Sequence, residues 1–80
     1  MSWYVYILEC FDGSLYTGVA TDVGRRFLEH KNGRGARYTR SHKPRKVVYR
    51  KKYVTRSAAQ KREAAIKRLS RQMKLALIRS

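Results

Sequence analysis

A chain of 80 residues makes one small domain, which buries only about 60–65% of the surface its unfolded form exposes. Its 42% hydrophobic content, with six tyrosines, is that of a folding chain and excludes a disordered basic tail. A formal net charge of +15 selects polyanionic partners, nucleic acid ahead of an anionic membrane surface.

In chain order, Trp3-Tyr4-Val5-Tyr6-Ile7-Leu8 is β-branched and aromatic with apolar groups at both parities, the pattern of a strand covered on both faces. Asp12-Gly13 marks a tight turn, and Ser14-Leu15-Tyr16-Thr17 reads as the returning strand of a hairpin. Two registers are open. A two-residue loop pairs Tyr16 with Glu9 and sends Tyr6 and Tyr16 to opposite faces. A three-residue loop, Phe11-Asp12-Gly13 with Gly13 left-handed, pairs Tyr16 with Leu8 and puts both rings on one face.

Asp22 suits the N-cap of a helix running to about Lys31. Val23 and Phe27 turn that helix toward the core, and Arg26 and His30 lie one turn apart on one side. Asn32-Gly33-Arg34-Gly35 breaks the pattern, and the basic stretch on to Arg45 reads as a mobile loop. Lys46–Val54 is a third strand, at or near a sheet edge where its lysines discourage aggregation. Ser57-Ala58-Ala59-Gln60 has the form of a capping box, and the helix after it places Ala59, Ile66 and Leu69 on one stripe, with Glu63 at the border. Residues 70–79 either continue this helix or form a short separate one capped by Ser70. The expected fold is a single α+β domain over residues 1–80, β-β-α-β-α(-α), with a small three-stranded, mostly antiparallel sheet flanked by helices.

Charge is divided unevenly along this order. Of the twenty lysines and arginines only Arg25 and Arg26 fall within the first thirty residues, and of the five acidic residues only Glu63 lies beyond them. A lone acid in a basic field is either an i,i+4 partner, with Lys67 one turn on, or a holder of something cationic beside a bound phosphate. Cys10, the one cysteine, permits no internal disulfide, and Cys/His zinc spacing is absent. The apolar start is too short to span a membrane, Glu9 interrupts it, and no signal-peptide pattern surrounds it, so the expected location is the cytoplasm.

The ordered set Tyr4-Val5-Tyr6, Tyr16-Thr17-Gly18, Arg26, His30 and Glu63 resembles the GIY-YIG nuclease superfamily. It looks most like the small standalone members, through Leu15–Gly18, Asp22–Arg26 and Arg62–Lys67, and the resemblance covers nearly the whole chain. It implies a metal-dependent endonuclease acting on DNA, including branched or damaged forms. One divalent cation, Mg²⁺ or Mn²⁺, would be held by Glu63, since such hard ions commonly take one or two carboxylates and complete their shell with water and phosphate. Arg26 would donate to the phosphate, Tyr6 would activate or position the attacking water with help from His30, and Tyr16 would orient water or phosphate. A phenol is a poor base at its reference pKa of about 10, so Tyr6 would need cationic neighbours and the metal to lower it.

Arg25, Arg37, Tyr38, Arg40 and Lys67 are expected to touch nucleic acid, with phosphate-led, salt-sensitive binding and little sequence preference. The chain departs from the family pattern in lacking the first motif's glycine, in carrying Thr17 for isoleucine, and in having no asparagine after Asn32 and no separate DNA-binding domain. The expected state is a monomer or weak dimer, with room for a partner protein that supplies specificity. Taken singly, each residue has a plain structural reading: core tyrosines, a solvated Arg26, a helix-end His30 and an ion-paired Glu63. The alternative function is a non-catalytic basic nucleic-acid-binding module on the same fold.

Overall fold

The computed structural model describes residues 1–80 and contains three strands and four helices, β1 (Trp3–Cys10), β2 (Leu15–Ala20), α1 (Val23–Lys31), α2 (Arg37–Ser41), β3 (Pro44–Tyr53), α3 (Arg56–Lys67) and α4 (Arg71–Arg79). The sheet is antiparallel throughout with order β2-β1-β3. β1 is therefore the centre, which accounts for its lack of alternation: Val5, Tyr6, Ile7 and Leu8 are all buried.

The two faces carry different cores. Val5 and Ile7 pack with Ala59 and Ile66 of α3, and Leu77 and Ile78 of α4 close over that side. Tyr6 and Leu8 pack with Val23 of α1, joined by Tyr4, Tyr16, Ala20 and Phe27. Burial of eight apolar side chains is a thin core, and both faces are needed to make it.

The hairpin takes the three-residue loop. Cys10 N–H donates to the Ser14 carbonyl at 2.8 Å, and Gly13 has φ 85°, the left-handed position that a side chain would strain. Leu8 consequently pairs with Tyr16 and Tyr6 with Gly18, so both tyrosines face α1. β3 is an edge strand, as its lysines suggested. It begins at Pro44, two residues earlier than expected, and bulges between the pairs at Ile7/Leu8 and Glu9/Cys10.

The Asp22 carboxylate caps α1 by accepting from Arg25 N–H at 3.0 Å. Its other end closes on Gly33, with φ 76°: Gly33 N–H donates to His30 O at 3.1 Å and Arg34 N–H to Glu29 O at 2.8 Å. This reversal sends the next residues back across the end of α1. The expected mobile loop is thus corrected, because residues 37–41 form α2, whose Thr39 is buried against His30. A second correction concerns α3. Its cap is Thr55, whose hydroxyl accepts from Ala58 N–H at 3.1 Å, so Ser57 lies inside the first turn and the expected capping box does not form. Ser70 caps α4 as a separate helix by accepting from Met73 N–H.

Candidate active site

Gly18 decides what meets at the free edge of β2. A Cβ on Gly18 would stand 2.5 Å from the Tyr6 hydroxyl and 2.6 Å from Cζ, closer than real Cβ contacts come, so only glycine lets this ring lie across β2. Through that gap the tyrosines of the α1 face reach the side chains of α3. A cleft of about 200 Å³ results, lined by Tyr6, Tyr16, Gly18 and Arg26 on one side and by Trp3, Val19, Arg56, Gln60 and Glu63 on the other. A second cleft of about 280 Å³ shares Trp3, Val19 and Arg26 with it and continues past Asp22, Arg25 and Glu29.

Behind Tyr6 the wall is buried and hydrogen-bonded. The Tyr6 hydroxyl lies 2.8 Å from His30 Nε2, and His30 Nδ1 lies 2.7 Å from Thr39 Oγ1. Thr39 has one proton, and its 2.9 Å bond to the Ala36 carbonyl uses it. With that proton on the Ala36 carbonyl, Thr39 meets His30 as an acceptor, Nδ1 carries the ring proton and Nε2 accepts from the Tyr6 O–H. The other tautomer has Nδ1 accepting from the Thr39 hydroxyl and from Ala36 N–H at 3.3 Å, with Nε2–H donating to Tyr6. Gly35 lies flat on the imidazole, where any Cβ would collide with the ring.

Burial pushes His30 down to about 4, with the Arg26 charge adding to it, so the imidazole is neutral near pH 7. Burial pushes Tyr6 up to about 12, helped by Tyr16, while Arg26 pulls the other way without prevailing. The protein's own groups keep Tyr6 protonated, so any lowering of this phenol would fall to the metal that the resemblance implies.

Of the remaining site residues, Arg26 donates from Nη1 to Glu29 Oε1 at 2.9 Å, and that carboxylate raises its pKa further. Arg25 stands 3.8 Å from the same carboxylate. Tyr16 lies in the cleft with its ring centroid 6.4 Å from Tyr6 and 5.0 Å from His30. Glu63 is partly buried and has Lys67 Nζ at 3.4 Å, the i,i+4 pair read from the sequence. Tyr38 stacks on Tyr16 from α2, whereas Arg37 and Arg40 project from α2 as exposed side chains and do not line either cleft.

Four contributors were absent from the sequence reading: Arg56, Gln60, Thr39 and Glu29. Arg56, Gln60 and Glu63 are spaced four and three apart, one face of α3, so the first two were legible once Glu63 was singled out. Arg56 also lies 5.2 Å over the Trp3 ring, which holds its guanidinium at the rim. Nothing local in the sequence marks Thr39.

A family model described as the GIY-YIG catalytic domain matches residues 2–76. The chain belongs to the GIY-YIG family. A UPF0213 protein of Cupriavidus pinatubonensis is 51% identical over 92% of this chain and 82% of its own length, and one from Staphylococcus saprophyticus is 52% identical over 94% and 92%. The solution NMR structure of a UPF0213 protein from Bacillus halodurans has a TM-score of 0.62 at 46% identity, covering 98% of this chain and 83% of that one. A protein structure from E. faecalis gives 0.65 at 46% identity, over 99% and 84%. In GIY-YIG terms, the first motif lies on the central strand and the second on the edge strand beside it, with its glycine at the gap described above.

The donor set in the cleft can be compared with the ion the family implies. No group of three His, Cys, Asp or Glu side chains converges to cage a metal. Glu63 offers one hard carboxylate at an open cleft, which fits Mg²⁺ or Mn²⁺ with water and phosphate as the other ligands.

Proposed function

We propose that the chain is a divalent-metal-dependent endonuclease that hydrolyses phosphodiester bonds in DNA at the β2-edge cleft. The observation that carries this reading is the convergence of Glu63, Arg26, Tyr6 and Tyr16 across Gly18, with two arginines and one acid facing one small cleft.

In this mechanism Glu63 holds a single Mg²⁺ or Mn²⁺, which when bound supplies Lewis-acid charge to the phosphate and the leaving oxygen. Arg26, fixed by Glu29, directs its remaining donors at the charge that develops on phosphorus. Tyr6 is neutral and donates to His30 Nε2, and its oxygen accepts a hydrogen bond from the attacking water. As the new P–O bond forms, the water's proton passes to the Tyr6 oxygen while the Tyr6 proton moves to Nε2, and the leaving oxygen takes a proton from solvent as its own P–O bond breaks. Tyr16 orients that water or a phosphate oxygen from the same face. His30 acts through Tyr6: neutral at rest, it takes that proton only as the bond to phosphorus forms. Arg25 and Lys67 contribute charge along the nucleic-acid path, as do Arg37 and Arg40 on α2, where Tyr38 adds an aromatic ring. No helix of the chain is long and apolar enough to cross a membrane. We place the enzyme in the cytoplasm, as a monomer or weak dimer.

The non-catalytic binding module keeps one observation in its favour, the existing Glu63–Lys67 pair, which already satisfies the carboxylate without a metal. The experiment that separates the two incubates purified protein with duplex, branched and single-stranded DNA and with RNA, in Mg²⁺, Mn²⁺ or chelator. Cutting that requires metal, falls to background in Glu63→Gln and drops about 100- to 1,000-fold in Arg26→Ala supports the enzyme. Salt-sensitive binding without any cutting, indifferent to Glu63→Gln, refutes it.

A further inference from the structure

Tyr16, Tyr38 and His42 form a row of near-parallel rings that leads out of the cleft. Tyr16 lines the cleft itself, Tyr38 stacks on it at 5.9 Å and 25°, and His42 stacks on Tyr38 at 4.2 Å and 19°. The far end is tied down, because His42 Nδ1 meets Asp12 Oδ2 at 2.6 Å and Asp12 is itself held by the Ser14 hydroxyl and N–H in the β1–β2 turn. These bonds hold the Asp12 carboxyl well below the usual carboxylate range, with Ser14 the larger cause. Tyr38 nevertheless stays 37% exposed.

Tyr38 has Tyr16 on one face and His42 on the other, so the end of the row open to a ligand is His42, whose side chain is 38% exposed. We propose that this end is a stacking site for an unpaired nucleobase beside the phosphate in the cleft, so that the preferred substrate carries single-stranded nucleotides next to the cut. The proposal rests on the nuclease reading above and narrows its substrate. Three arguments support it. The rings are ordered before any ligand arrives, so a base that stacks there does not have to freeze them. The flanking side chains are cationic: Arg37 and Arg40 on α2 are exposed, Lys43 follows, and no acid occurs between residues 30 and 62. Flat aromatic faces interleaved with cations bind single strands through stacking and backbone charge together. A base inside a duplex has both faces covered by its neighbours and gains nothing from such a row. The one acid nearby, Asp12, is held ionised by Ser14 and His42 and is outnumbered by Arg37, Arg40 and Lys43.

The stack also packs α2 against β2, so the test has to separate recognition from packing. Fluorescence anisotropy in EDTA at fixed salt would compare a labelled blunt duplex, the same duplex with a single-stranded extension, and the free strand. The expected result is tighter binding of the two probes with unpaired bases. His42→Leu, which keeps apolar bulk, would lower their affinity about 5- to 150-fold, the range for one base–aromatic contact, and leave the blunt duplex within about twofold. His42→Phe, which keeps a flat ring, would bind like the parent, and Arg40→Ala would weaken all three probes and flatten the salt dependence. Thermal melts of both His42 variants check that α2 remains docked. Equal affinity for blunt and extended duplexes, or an equal loss on both in His42→Leu, overturns the proposal while leaving the nuclease intact. Failure to bind any nucleic acid overturns both.

Discussion

Replacing Thr39 by valine tests whether the buried wall behind Tyr6 is held by polar contacts or by packing. The side chain is 2% exposed and His30 is 0% exposed, so water cannot take over a lost partner. Valine keeps the shape but removes the 2.7 Å acceptor for His30 Nδ1–H and the 2.9 Å donor to the Ala36 carbonyl. A buried donor left without a partner costs about 1–3 kcal/mol, and His30 sits at the enclosed end of that range, so a loss of about 2 kcal/mol is expected. A domain of this size has a total stability of roughly 4–12 kcal/mol, so the loss is large enough to lower the melting temperature by about 10 °C. Thr39→Ser keeps both bonds and removes one methyl, a cost of about 0.8 kcal/mol. Urea unfolding of the three proteins gives the order: parent, then serine, then valine. The reverse order, with valine the more stable variant, would refute the hydrogen-bond account and make Thr39 a packing residue. In the cleavage assay the serine variant should retain activity while valine loses it, since His30 then no longer fixes the direction of the Tyr6 proton.

Gly18→Ala drives a methyl into a Tyr6 ring that is buried and bonded to His30, so we expect a loss of about 1–3 kcal/mol and of activity; a variant that melts and cuts like the parent would contradict the close approach. Thr17→Val should raise stability by about 0.5–2 kcal/mol in urea unfolding, because the Thr17 hydroxyl is buried and has no partner in the protein. Acid should destabilise the fold through His30, which sits at about 4 when folded against about 6.5 unfolded. In that window the unfolded chain binds a proton the folded one refuses, so the stability is full above pH 6.5 and is lost as pH falls toward 4. The ceiling is about 3 kcal/mol, and His30→Asn should flatten this limb of a stability–pH profile.

The parts of the fold that local chemistry dictates were legible. Asp12-Gly13 located the hairpin but left two registers open, and only the folded pairing of Leu8 with Tyr16 puts Tyr6 and Tyr16 on one face. Asp22 and Ser70 marked two helix starts, and the uniform apolarity of β1 announced a central strand. Where two hydroxyl residues two apart could both cap, local reasoning chose wrongly: Ser57 with Gln60 has the better pattern, but Thr55 is the first hydroxyl after β3 and takes the position. α2 was not legible, because five residues with no side-chain cap bond carry no helical signal of their own. It exists because the Gly33 reversal returns the chain over His30, and Thr39 and Gly35 acquire their roles only from that long-range contact. Glu63 lay between these cases. The helix projection put it at the rim of the buried stripe, but that the rim faces Tyr6 depends on Gly18 standing opposite that tyrosine.

The site therefore has two walls of different character. Behind the cleft, Tyr6, His30 and Thr39 are buried, neutral and bonded to one another, an arrangement that salt does not screen. In front, the charged groups are provisionally engaged: Arg26 with Glu29, and Glu63 with Lys67, each pair with one or both side chains open to water. Ion pairs of this kind contribute about 0–1 kcal/mol, so a phosphate at Arg26 or a cation at Glu63 can replace the existing partner at little cost. The two walls predict different salt responses. Raising ionic strength at neutral pH should weaken nucleic-acid binding steeply while leaving the valine-for-threonine penalty at residue 39 unchanged. If that penalty also shrank in high salt, the inner wall would have to be electrostatic, and the division of labour drawn from its burial would fail.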